Sequence, residues 1–244
     1  MKFLPSVICL LVFGAALCAD HPPKPGDPKA AALWPGLGNH HHPVGTANQE
    51  AQRWFDQGLM LLYAFNHEEA IRSFRKAAEI DPQLAMAWWG VALCLGSNYN
   101  LEADSEQLKE AYAALEKAKM LAAKAPEQDR AYIEALTKRY SADPKADRKK
   151  LGVDYQKAMG ELARRYPDDL DAATLHAESS MNLRPWELWT HDGKPAAGTE
   201  EIVAILEGVL KRNPDHPGAN HYYIHAVEAS PTPERGLPSA ERLK

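Results

Sequence analysis

Cysteine is nearly missing from this chain. Of three cysteines in 244 residues, Cys9 and Cys18 lie in or beside an apolar leader, which leaves Cys94 alone. A lone thiol allows no internal disulfide, and Cys94, set among Met86, Trp88, Trp89, Val91, Leu93 and Leu95, reads as a buried small apolar residue rather than a reactive thiol. A basic excess is missing too. The chain has 28 Lys+Arg against 33 Asp+Glu and a formal charge of -5, so it lacks the basic footprint of a nucleic-acid binder. The cluster from Lys145 to Lys150 is interrupted by an acid and reads as solvated surface. No segment after the first twenty residues approaches the roughly 20 apolar residues of a membrane span. Strand signals are lacking throughout, which points to an all-α chain without a β-sheet. With 45% apolar and 25% charged residues, its stability has to come from packing.

The first segment is a processing signal. Lys2 precedes an apolar stretch from Phe3 to Leu17, followed by small residues at Cys18 and Ala19, which reads as a secretory signal peptide over 1–19. Leu17 stands where a lipoprotein site wants a small residue, so lipid anchoring is the less favoured outcome. Residues 20–47 carry Pro22, Pro23, Pro25, Pro28, Pro35 and Pro43 with no apolar period, and predict a flexible linker. His40, His41 and His42 fall inside it. A flexible tract gives imidazoles no fixed geometry, so the three are read as solvated rather than as ligands.

The remainder, 48–244, is a helical domain. Trp54, Gly58, Ala70, Phe74, Ala77 and Pro82 fall at the spacing of a tetratricopeptide repeat (TPR). Small residues at 58, 70 and 77 let two antiparallel helices approach, Trp54 and Phe74 fill the space between them, and Pro82 cannot continue the second helix. The motif's leucine and tyrosine positions are held by Gln57 and Leu61. The clearest unit is 51–84. Between its helices, Asn66-His67-Glu68-Glu69 supplies a turn and a helix start, with His67 as a turn or cap residue.

Helix punctuation recurs at Pro126, Pro167 and Pro214, at intervals of 44, 41 and 47 residues. These exceed the standard repeat of about 34, so later units carry insertions. A second unit places Trp88, Ala92 and Leu95 on one helix and Ala111, Leu115 and Ala118 on the next. A third pairs 129–140 with 151–166, and a fourth pairs 171–183 with 199–212. The connection 184–198 is long and aromatic; Trp186 and Trp189 are expected to fold back over a helix pair, with a ligand platform as the other possibility.

One constellation suits chemistry. His221, His225 and Glu228 are spaced i, i+4 and i+7 after a helix start at Asp215 and Pro217. Two imidazoles one turn apart have the reach of a metal pair, with the carboxylate as a third or an orienting ligand. The general-base glutamate of His-Glu-x-x-His is missing. The same spacing also fits a packing face, with Tyr222, Ile224 and Val227 in the core. His176, near Glu178, and His67 are possible further ligands.

Gln52 to Leu59, Ala64 to Ala70, Trp89 to Leu93 and His221 to Ser230 together resemble a family of exported bacterial TPR proteins without a settled biochemical activity. The resemblance covers most of the chain after the leader. It implies a helical solenoid, and it implies that related chains continue past Lys244 with another histidine-bearing segment, so that this chain reads as a fragment whose C-terminal unit is incomplete. The expected function is a secreted or periplasmic scaffold that binds a protein or peptide on its concave surface, with no catalysis or cofactor of its own. The alternative is a metal-binding protein or metal-dependent hydrolase that holds a divalent ion on a histidine cluster.

Overall fold

The computed structural model describes residues 32–244; the expected leader and residues 20–31 of the expected linker lie outside them. Among the described residues there are ten α-helices and no strand, only an isolated bridge between Trp189 and Pro195. The helices form consecutive antiparallel pairs: α1 (Gln49–Tyr63) with α2 (His67–Ile80), α3 (Ala85–Leu95) with α4 (Ser105–Leu121), α5 (Glu127–Leu136) with α6 (Arg148–Arg165), α7 (Leu170–Met181) with α8 (Thr199–Arg212), and α9 (Pro217–Val227) with the short α10 (Leu237–Arg242). The unit boundaries read from Pro82, Pro126, Pro167 and Pro214 coincide with the turns between pairs.

Each start has a local cause. Asn48, Asp104, Asp147 and Asp169 accept backbone amides of α1, α4, α6 and α7, and Asp104 closes a reciprocal capping box with Gln107. Helix α3 is apolar all round because it packs against α1, α2, α4 and α5. Cys94 is buried on it, and burial pushes its thiol up, so it is inert as expected.

The repeat motif packs as its spacing demands. Ala70, Phe74 and Ala77 are fully buried. A Cβ added at Gly58 would sit 2.7 Å from the Phe74 ring, and one added at Gly90 would sit 2.6 Å from it. The ring is thus clamped between two glycines from successive units. Their missing side chains set the approach of α1 and α3 to α2.

Two features go beyond a simple row of pairs. Helix α9 touches α1, so the stack curls until the fifth pair meets the first. Gly218 allows this contact, since a Cβ there would come 2.5 Å from the Tyr63 ring. Second, the described half of the expected linker is bonded to the helices rather than free of them. Gln52 takes the amide of Val44 and donates to the carbonyl of His42, and Gln57 does the same for the amide of Trp34 and the carbonyl of Ala32. Asp56 accepts the amide of His42 and Asp129 that of Gly45. Residues 32–47 therefore run along α1 and α5, first helices of their pairs, with backbone groups of Ala32, Trp34, His42, Val44 and Gly45 held by side chains. Proline spacing hides this, because an extended segment that pairs with glutamine and aspartate needs no apolar period.

Candidate functional site

The segment carries His40 and His42 to one buried carboxylate, while His41 bonds Asp56 and stays exposed. Asp171, in the first turn of α7, accepts His40 Nε2 at 2.9 Å on Oδ1 and His42 Nδ1 at 2.8 Å on Oδ2. Its Oδ1 also accepts the Tyr63 hydroxyl at 2.5 Å and lies 3.3 Å from His216 Nε2. Burial alone would raise this carboxyl, but the bonds from His216, His40 and His42 hold it well below the usual carboxylate range. Burial would likewise lower the His42 imidazole; the bond and charge of Asp171, with Asp169 and Asp129 beyond, outweigh it and bring His42 up to about 9.

Five elements converge here. His216 is the N-cap of α9, its Nδ1 accepting the amide of Ala219 at 3.2 Å. Asp169, the N-cap of α7, accepts the Tyr132 hydroxyl of α5 at 2.6 Å. The aromatic shell is close: the His40 and His216 rings are 4.8 Å apart, and Tyr132 meets His42 edge-on at 5.4 Å. Two overlapping sets, His40–Asp171–His216 and His42–Asp169–Asp171, bring their ligand atoms within 4.8 Å of one another. Both line a cleft of about 1190 Å³, with Arg165, Asp168 and Asp215 also on its wall.

The sequence-predicted set lies elsewhere, at the far end of α9. His221 Nε2 and His225 Nε2 are 3.2 Å apart, His221 Nδ1 bonds the carbonyl of Tyr63 at 2.5 Å, and His225 Nδ1 bonds Glu228 Oε1 at 2.7 Å. Glu228 therefore sits behind His225 and not beside the paired nitrogens. The expected helpers do not join: His176 bonds Gln156, and His67, the first residue of α2, bonds Asn98 with the Phe65 ring beside it. Trp189 folds back as expected, donating to the carbonyl of Ala226 at 2.8 Å, whereas Trp186 stays 60% exposed against Tyr99 and His225.

The architecture is tetratricopeptide-like. No protein-family model matches the sequence, and no curated protein is recognisably similar to it. A solved structure described as YrrB, a TPR protein with an unusual peptide-binding site, aligns over 81% of this chain and 88% of its own, at 18% identity and a TM-score of 0.37. The architecture rests on the helix pairs themselves, not on that alignment.

Sequence reasoning missed His40, His42, Asp171, His216 and Tyr63 as a group. The one available signal was His-x-His at 40 and 42 ahead of a helical stack. Asp171 and His216 looked like ordinary helix-start residues, which they also are.

Proposed function

We propose that this protein is a metal-binding protein built on a helical-repeat scaffold, holding a divalent ion at the base of the cleft through His40, Asp171 and His216, with His42 and Asp169 completing an overlapping set. The observation that supports it is the convergence of three imidazoles on one buried carboxylate beside an open cleft. Imidazole with carboxylate suits zinc and its neighbours rather than calcium or magnesium.

Proton accounting sets the cost of uptake. A carbonyl or carboxylate only accepts, so each imidazole nitrogen on Asp171 now carries a proton that an ion has to displace. At His216 that proton moves to Nδ1 and releases the Ala219 amide, an N-cap worth about 1 kcal/mol. Structural zinc sites bind with apparent energies of about 10–16 kcal/mol, so the cap does not prevent binding.

The scaffold expected from the sequence remains part of the proposal in a changed form. Residues 32–47 already engage α1 and α5, and the cleft beside them offers an open surface whose charged wall suits a polar partner or an ion's further ligand. Export, proposed from residues 1–19, places this site in the cell envelope or outside. The test is elemental analysis of untagged protein beside Asp171→Asn and His40→Gln variants: stoichiometric zinc, copper or iron that falls in both variants supports the reading, and a metal-free wild type sinks it.

A further inference from the structure

The second histidine pair presents a problem of donors and acceptors that the cleft does not. The carbonyl of Tyr63 accepts only, so His221 Nδ1 donates to it; the carboxylate of Glu228 likewise takes a proton from His225 Nδ1. In a neutral imidazole the other nitrogen then holds a lone pair. With both rings neutral, two lone pairs face each other across 3.2 Å, an arrangement relieved only by a proton or a metal ion between them. At Asp171 every donor meets an acceptor. Here, with both rings neutral, two acceptors meet.

We propose that His221 and His225 form a second, separate metal site, for zinc or copper, bound through both Nε2 atoms. At a zinc–nitrogen length of about 2.0–2.1 Å, two ligands of one tetrahedral ion stand about 3.3 Å apart, close to the observed separation. Both Nδ1–H groups are already held by acceptors, one a backbone carbonyl and one a carboxylate, the outer arrangement that fixes ring tautomer and orientation in metal sites. Glu228 and Tyr63 are thus positioning groups, not ligands.

The surroundings support an ion more than a packing face. The Phe65 ring stacks on His225 at 5.7 Å, Tyr99 lies 5.4 Å from it and Trp186 meets it edge-on at 6.0 Å. Phe65 and Trp186, with φ of 57° and 62°, are the two non-glycine residues of positive φ among those described. A bulky residue held in that region costs of order 1–3 kcal/mol, and both such residues place their rings on the same imidazole. The three rings pack around the pair. Because only two protein nitrogens converge, an ion there would complete its coordination with water or an incoming ligand. The pair shares no ligand with the cleft sets, and Tyr63 is the residue that touches both.

The experiment is a zinc titration of chelator-stripped protein followed by long-range proton–nitrogen NMR of the imidazoles, with Mg²⁺ as control and with His225→Gln and Glu228→Gln variants. His225 is the informative position, because its ring bonds only Glu228 and His221 and its loss leaves the Tyr63 anchor intact. The expected result is that zinc shifts both Nε2 resonances of His221 and His225 while Mg²⁺ does not, that His225→Gln loses one equivalent and retains any cleft-bound equivalent, and that Glu228→Gln weakens this equivalent about 10–100-fold with the fold unchanged. Unshifted His221 and His225 resonances at saturating zinc, or an Nε2 proton shared between the rings, would overturn the proposal. Loss of zinc from the His40 and His216 resonances alone would count against the cleft reading and leave this one standing.

Discussion

The Tyr63 hydroxyl donates to Asp171 Oδ1 at 2.5 Å, linking the last residue of α1 to the first turn of α7. The carbonyl of the same tyrosine accepts His221 Nδ1. One residue therefore ties the buried carboxylate of the cleft to the histidine pair of α9, at the point where the curled stack closes.

Removing that hydroxyl with Tyr63→Phe leaves the ring and its contact with Gly218 in place. A hydrogen bond to a charged group contributes about 1.5–3 kcal/mol, so denaturant unfolding is expected to show a loss of that size with an unchanged slope. A loss below about 0.5 kcal/mol would mean that the carboxylate is satisfied by its histidines alone.

Asp171→Asn is the harsher change. It removes the anion that keeps His42 up at about 9, and breaking a buried pair by deleting one partner costs about 3–5 kcal/mol. Thermal unfolding of the metal-free variant should fall accordingly. His42→Gln in the same background should then cost little, because the two act as a unit.

Gly58→Ala and Gly90→Ala each press a methyl into the Phe74 ring from opposite sides. Overpacking of this kind costs about 1–3 kcal/mol. Phe74→Leu, which shrinks the ring between them, should relieve part of the penalty in a double-mutant cycle; simple additivity would show that the clamp is looser than its geometry.

Burial, aided by the charge of Arg139, pushes the His67 imidazole down from 6.5 to about 4. Its folded value lies below its unfolded one, so its contribution is complete above pH 6.5 and is lost as pH falls toward 4. Stability measured across that window should drop in the wild type and drop less in His67→Gln. An identical pH profile in the two proteins would remove His67 from the account.

Much of the fold was legible because helix pairing leaves local marks. Small residues at 58, 70 and 77 and prolines at 82, 126, 167 and 214 act within one turn of where they stand, and the helices follow them. The His221–His225–Glu228 spacing was legible for the same reason: all three lie on or at the end of one helix. The cleft cluster was not. Asp171 meets His40 and His42 across about 130 positions of sequence, and that meeting depends on α9 closing onto α1 and on Gln52, Gln57 and Asp129 holding an extended segment. Neither leaves a periodic signature. The proline-rich composition of 20–47 pointed the other way, since it marks an extended backbone without saying what that backbone lies against.

The central claim is an ion in the cleft, and anomalous diffraction from crystals grown with one equivalent of zinc reads it most directly. The account predicts a zinc-edge peak between His40 Nε2, His216 Nε2 and Asp171 Oδ1, with the Ala219 amide released from His216. Crystals without a peak there, and with His40, His42 and His216 still bonded to Asp171, would contradict it and leave the cluster as a hydrogen-bonded junction of the fold.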